Sequence, residues 1–195
     1  EVAHAMDRVE SETARMTRLV EDLLLLARLD AGRPLDRDPV DLTRLVIDAV
    51  SDAHVAGSEH TWELDVPDEP VLVDGDETRL HQVVANLLAN ARTHTPPGTS
   101  VTAALRVADD GAVTLTVADD GPGIDEKLLP EVFERFARGD TSRSRGGGST
   151  GLGLAIADAV VRAHGGTIAV DSVSGRTEFA VTLPHAQSRE PFSTT

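Results

Sequence analysis

The sequence predicts an α/β (α+β) sandwich preceded by one long amphipathic helix. Three observations carry that prediction. Residues 80–91 and 156–164 each draw an apolar stripe at helical spacing, and short runs such as 112–117 alternate apolar with polar side chains. The first thirty residues repeat apolar positions at spacings of four and three.

From the N-terminus, Val2, Met6, Val9, Thr13, Met16, Val20, Leu23 and Ala27 form a heptad seam for packing against other helices. Gly32 and Pro34 stop that helix, and its many charges and short apolar run exclude a membrane span. A strand is expected near 36–40 and a helix near 41–54. Strands follow near 61–66 and 70–73, where Trp62 and Val66 beside Pro67 and Pro70 point to a short strand pair. A helix is expected near 76–92, then strands near 100–107 and 112–118. Residues 125–150 are charged and glycine-rich, a stretch that a compact domain tolerates mainly as a functional lid. A helix near 150–164 and strands near 166–172 and 177–183 close the layout. The polar residues 185–195 are expected to form a flexible tail.

Composition sets limits. The 195 residues are enough for one substantial core plus an appended helix. A net charge of −15 argues against a nucleic-acid surface, which needs clustered Lys and Arg. The chain has no cysteine, no internal repeat and no signal-peptide pattern.

Three motifs carry chemistry. Asn86 and Asn90 stand one helical turn apart on the flank of the stripe made by Leu80, Val83, Val84, Leu87, Leu88 and Ala91. A side-chain amide oxygen there can ligate a hard cation such as magnesium, which borrows phosphate oxygens and waters for the rest of its shell. The plainer reading, two solvated asparagines, leaves unexplained why two mediocre helix formers share one flank. Next, a strand runs into Asp119-Asp120-Gly121-Pro122-Gly123-Ile124. Its glycines let a ligand approach the backbone, and an aspartate at the strand end can accept from an exocyclic amine. Adenine offers that amine, whereas guanine has an acceptor at the matching ring position. Last, Gly146-Gly147-Gly148-Ser149-Thr150-Gly151-Leu152-Gly153-Leu154 enters a helix. Such an entry presents unpaired N–H groups and a positive dipole end to phosphate. No Gly-Lys-Ser/Thr follows, so this is no Walker loop, and no strand leads into it as a dinucleotide fingerprint requires.

In this order the motifs resemble those of the sensor histidine kinases of bacterial two-component signalling, within the wider family that shares the Bergerat (GHKL) ATP-binding fold. Asn86-Leu87-Leu88-Ala89-Asn90-Ala91 matches the N box, with His94-Thr95-Pro96 after it. Asp119 to Ile124 matches the first glycine box, Val132-Phe133-Glu134-Arg135-Phe136 the F box with Arg138 close behind, and Gly151 to Leu154 the second glycine box. The resemblance runs from about Asp7 to Pro184.

It implies a two-layer sandwich, a mixed sheet with helices on one face. Residues 1–30 would be part of the second helix of the dimerisation and phosphoacceptor hairpin, 31–40 a linker and first strand, 41–184 the catalytic ATP-binding domain. The cofactors implied are ATP and Mg2+. The resemblance puts Asn90 on the metal, Asn86 in the phosphate-side network, Asp119 on the adenine amine, and Arg135 or Arg138 on phosphate charge. The ATP-binding set it implies is Asn86, Asn90, His94, Asp119, Gly121, Gly123, Ile124, Thr150, Gly151, Leu152, Gly153, Leu154 and Thr177. Arg143 and Arg145 are read as lid residues, with a solvated loop the equal alternative.

The implied activity is an ATP-dependent protein-histidine kinase. It passes the γ-phosphate to a histidine for relay to a response-regulator aspartate. The family's phosphoacceptor segment is missing, and His4, followed by Ala5-Met6-Asp7, does not replace it. The chain is therefore expected to be a fragment, monomeric or weakly dimeric, without autophosphorylation of its own. Its full-length protein is expected to be a homodimer, with this chain in the cytoplasmic portion of a membrane-anchored sensor. The alternatives are an anti-sigma-type serine kinase on the same fold and a nucleotide-binding or dimerisation module without activity. Departures from the family pattern are Thr93, where a basic residue is common, and Gly175-Arg176-Thr177, which lacks one glycine.

Overall fold

The computed structural model describes residues 2–137 and 150–184. The expectations for Arg138, Arg143, Arg145, the side chain of His4 and the 185–195 tail therefore lie outside the described residues. Helix α1 spans Val2–Asp30, strand β1 Asp38–Asp41, α2 Leu42–Ala56, β2 Thr61–Asp65 and β3 Leu72–Gly75. Helix α3 follows over Glu77–His94, then β4 Ser100–Val107 and β5 Val113–Asp119. A 3-10 turn at Leu129–Glu131 precedes α4 (Gly153–Ala163), β6 (Thr167–Val173) and β7 (Arg176–Leu183).

Five strands make one sheet in the order β2-β4-β5-β7-β6. The β2–β4 pair is parallel and the other three pairs are antiparallel, so the sheet is mixed as expected. Alternation decides its faces. Val101, Ala103 and Leu105 of β4, Val113, Leu115 and Val117 of β5, and Phe179, Val181 and Leu183 of β7 are buried under the helix layer. Within that layer α3 contributes Leu80, Val83, Val84, Leu87, Leu88 and Ala91, the stripe read from the sequence. Its first turn is capped by Asp76, whose Oδ1 accepts from Arg79 N–H at 3.0 Å.

Two expectations are corrected. The segments 61–66 and 70–73 do not pair with each other: β2 joins the main sheet through β4, while β3 pairs antiparallel with β1. The reason is local. Val71 already gives its N–H to Thr43 Oγ1 and its carbonyl to Leu42 N–H, and Pro67 and Pro70 have no N–H to offer a ladder. Helix α4 begins at Gly153, not near 150, because Gly151 takes φ +69°, a left-handed conformation incompatible with helix.

Helix α1 runs as predicted but uses another face. Leu25 and Leu26 are buried and Leu19 and Leu29 partly so, packed against the core beside α4. The heptad seam is on the other side, with Met6, Val9, Met16, Val20 and Leu23 exposed. None of the described helices is long and apolar enough to cross a membrane.

A buried histidine ties the last helix to α3. His164, 2% exposed, donates from Nδ1 to Val160 O at 2.8 Å and accepts the Asp76 N–H on Nε2 at 3.0 Å. Burial holds its pKa below the ordinary histidine value, with the Val160 bond opposing that shift. Below about pH 6.5 the unfolded chain takes up a proton that folded His164 refuses. Stability is therefore full above that pH and falls as pH drops below it, by at most about 1.4 kcal/mol per unit for one proton. Denaturant unfolding at pH 7.5, 6.5 and 5.5 should show this slope in the wild type and a shallower one in His164→Gln. Equal slopes would mean that the ring does not titrate with folding.

Candidate functional site

Strand β5 delivers its last residue, Asp119, to the buried face, in register with Val101 on one side and Thr177 on the other. Asp119 is 7% exposed, and its Oδ1 accepts the Gly121 N–H at 3.0 Å. Burial raises its carboxyl pKa above the usual carboxylate range. The Gly121 bond opposes that shift, Asp120 adds to it and His60 works against it. A carboxylate so placed is costly to keep charged and repays a donor that reaches its second oxygen.

The turn after Asp119 is pinned to the β6–β7 hairpin. Ile124 donates to Ser172 Oγ at 2.9 Å, Gly175 donates to Gly121 O at 3.1 Å, and Ser172 Oγ lies 3.0 Å from Thr177 Oγ1. Gly123 has φ +86°, and a Cβ there would stand 2.5 Å from Val173 O, so no side chain fits. Ser172 was not among the residues singled out from sequence. A lone serine inside an alternating strand carries no signal until the fold brings residue 124 beside it.

The second half of the site joins α3 to the start of α4. Asn86 donates from Nδ2 to Gly153 O at 2.9 Å, leaving its Oδ1 for other partners. Asn90, one turn on, is half-buried and makes no side-chain hydrogen bond to the described residues. His94 is exposed at the end of the same helix. Helix α4 has no side-chain cap, unlike α2 and α3, so its first N–H groups remain available. Leu152 is wholly buried, so the contact left to it with a ligand is through the backbone, whereas Leu154 is half-buried against the core.

The F-box segment packs beside this entry. Phe133 meets Phe179 edge-on at 6.2 Å, and Phe136 donates its N–H to Gly151 O at 2.9 Å. Phe136 holds φ +64°, a strained conformation for a residue with a Cβ. Gly151 is as constrained, since a Cβ there would lie 3.0 Å from Phe136 Cα. Arg135 points to α1, where its Nη2 is 2.5 Å from Asp30 Oδ2. Both partners are about half exposed, so the pair contributes little to stability.

The family described as histidine kinase-, DNA gyrase B-, and HSP90-like ATPase matches residues 75–187. The chain is 69% identical over 183 residues to the probable sensor histidine kinase TcrY of Mycobacterium tuberculosis, covering 94% of this chain and 38% of that relative. It is 51% identical to the sensor histidine kinase TrcS of the same organism, covering 93% and 36%. It thus spans little more than a third of the length of these curated relatives. Among solved structures, the mycobacterial sensor histidine kinase MprB superposes with a TM-score of 0.68 at 36% identity, over 76% of this chain and 99% of that one. Full-length ShkA in complex with AMPPNP superposes with a TM-score of 0.78 at 29% identity, over 91% and 37%.

Asp119→Asn separates stability from binding. It removes a charge that folding must desolvate while keeping an acceptor for Gly121 N–H, so the unfolding midpoint near pH 7 should hold or rise. Affinity for an adenine nucleotide should fall by roughly 1.5–3 kcal/mol, the worth of a hydrogen bond to a charged group. Calorimetry with ADP beside a thermal melt measures both, and equal ADP binding would reject the role.

Proposed function

The chain belongs to the histidine kinase-, DNA gyrase B-, and HSP90-like ATPase family and is an ATPase catalytic domain homologous to those of sensor histidine kinases. From that premise we propose that it binds Mg-ATP between the Asp119–Ile124 turn and the α3–α4 junction. There it directs the γ-phosphate to a histidine on a phosphoacceptor helix, for relay to a response-regulator aspartate.

The observation that carries the reading is the buried Asp119 carboxylate with one oxygen occupied by Gly121 N–H and glycines around it. The carboxylate oxygen left free is an acceptor, which fits a purine bearing an exocyclic amine. On the other side Asn90 offers an uncommitted amide oxygen, which fits a hard cation. Bound ATP supplies the transferable phosphoryl group, and the protein's part in such a transfer is alignment and charge neutralisation. Asn90 takes the magnesium and Asn86 orders the α4 entry beside the phosphates. Arg135 is the described arginine near this entry, and Arg138 is its alternative. The AMPPNP held by ShkA supports the nucleotide class.

Helix α1 favours this reading over a serine-directed kinase, because its exposed seam suits a helical hairpin. In the full-length protein that hairpin would make a homodimer, and this chain would sit on the cytoplasmic side of a membrane-anchored sensor. Alone, it would be a monomer or weak dimer.

Two experiments test the proposal. Incubation with Mg-ATP and a phosphoacceptor-helix peptide carrying its histidine should yield acid-labile phosphohistidine. Acid-stable phosphoserine, or no transfer, would reject the kinase assignment. Asn90→Ala should lower Mg-dependent ATP affinity on the order of ten-fold or more, the scale of a lost bond to a charged group, with the fold intact. Unchanged affinity would place the metal elsewhere.

A further inference from the structure

The hydrogen bonds at the far end of α3 join two polar side chains behind the Asp119 turn, Thr95 and His60. Thr95 follows the helix, and its hydroxyl donates to Ala91 O at 2.8 Å. A hydroxyl has one proton, so the 3.0 Å contact between Thr95 Oγ1 and His60 Nε2 must be a bond donated by the imidazole. That places a proton on Nε2 and leaves His60 Nδ1 buried with no partner.

A buried orphan of this kind costs about 1–3 kcal/mol. A phenylalanine would fill the same space without that cost, so the Nε2–H bond needs a purpose beyond packing. The ring is well held for one. It lies 5.9 Å from the Trp62 ring, the Trp62 indole donates to Gly57 O, and His60 N–H donates to the same carbonyl.

Thr95 carries the effect onward. Its Cγ2 rests against Gly121, 2.6 Å from where a Cβ would stand, and Asp119 Oδ1 is 2.7 Å from the same point. Threonine is stiff at χ1, and either staggered alternative would put the hydroxyl or a hydrogen where the methyl now stands. The bonds to Ala91 and His60 select the rotamer whose methyl lies under Gly121. Gly121 in turn donates the N–H that orients the Asp119 carboxylate.

We propose that His60 and Thr95 are positioning residues for base recognition, holding Gly121 and Asp119 where an adenine amine is told from a carbonyl. The inference rests on the adenine reading of that turn. It makes discrimination between adenine and hypoxanthine depend on two side chains that do not touch the base.

The test uses ADP and IDP, which differ at the ring position Asp119 reads, with affinities measured by calorimetry and thermal melts taken without nucleotide. His60→Phe removes the donor, and Thr95→Ser keeps the hydroxyl but removes the methyl. Each should lower the ADP-to-IDP affinity ratio about five-fold or more, the worth of one hydrogen bond, with IDP affinity unchanged. His60→Gln places an amide N–H near the position of Nε2 and should restore the wild-type ratio, whereas His60→Asn should not. Imidazole nitrogen shifts in the nucleotide-free protein should report the proton on Nε2.

A wild-type ratio in folded His60→Phe or Thr95→Ser would overturn the inference while leaving the adenine reading intact. Parallel loss of ADP and IDP, or an Nε2 that carries no proton, would overturn it too. Absence of any ADP preference in the wild type would remove the adenine reading and this inference with it. If His60→Phe does not fold, Thr95→Ser decides alone.

Discussion

The position of α3 governs everything else in the site, and a buried histidine fixes it at each end. At its N-terminus His164 accepts the Asp76 N–H, and at its C-terminus His60 donates to Thr95. A helix free to slide by one residue would rise about 1.5 Å and turn about 100°, which would carry both asparagines off the flank they occupy. The apolar stripe resists that turn, which would carry it out of the core, and two directional bonds at opposite ends reinforce it. The separation between the Asn90 side and the Asp119 side is therefore set in part by long-range polar contacts: 88 residues apart in sequence at one end, 35 at the other.

Around that helix the site stores free energy in a few places. Asp119 closes a row of apolar β5 side chains, where a charge is unfavourable. Phe136 adopts a left-handed backbone whose cost is of order 1–3 kcal/mol. Both unfavourable features adjoin glycines where a Cβ would crowd its neighbours, Gly121 against Thr95 and Asp119 and Gly151 against Phe136. A structure selected for stability alone would relax these points. Their concentration where base and phosphates are expected to meet is what a preorganised binding site looks like in the nucleotide-free state.

Much of this was legible beforehand, and the gaps have physical causes. The α3 stripe, the β4 and β5 alternation and the glycine turns are local patterns, and they landed within a residue or two. The 61–66 and 70–73 segments are strands as their local pattern predicts, but their partners depend on Thr43 and Leu42 capturing Val71, a contact no local rule encodes. Asn86, Asn90 and Asp119 announced themselves by spacing. Ser172 and His60 did not, and Thr95 entered only within the run that follows the N box: each is a single polar residue given meaning by a neighbour distant in sequence. In the second glycine box Gly151 holds a left-handed backbone, as its type suggests, and the Leu152 side chain is buried in the core, which leaves its backbone as the part a ligand could meet.

Helix α1 shows why a correct period can select the wrong face. Residues Leu23-Leu24-Leu25-Leu26 advance about 100° each, so four consecutive leucines cover most of the helix circumference. One apolar stripe then runs through Leu19, Leu26 and Leu29 and is spent on the core, while another runs through Val9, Met16, Val20 and Leu23 and stays exposed. No single chain can bury both stripes of a straight helix against one domain. The Asp30–Arg135 contact at the helix end belongs to the first arrangement, since it forms only while α1 lies along α4. Arg135 is also one of the two arginines proposed to meet phosphate charge. On that reading the packing of α1 and the electrostatics of the phosphate side are joined through one guanidinium.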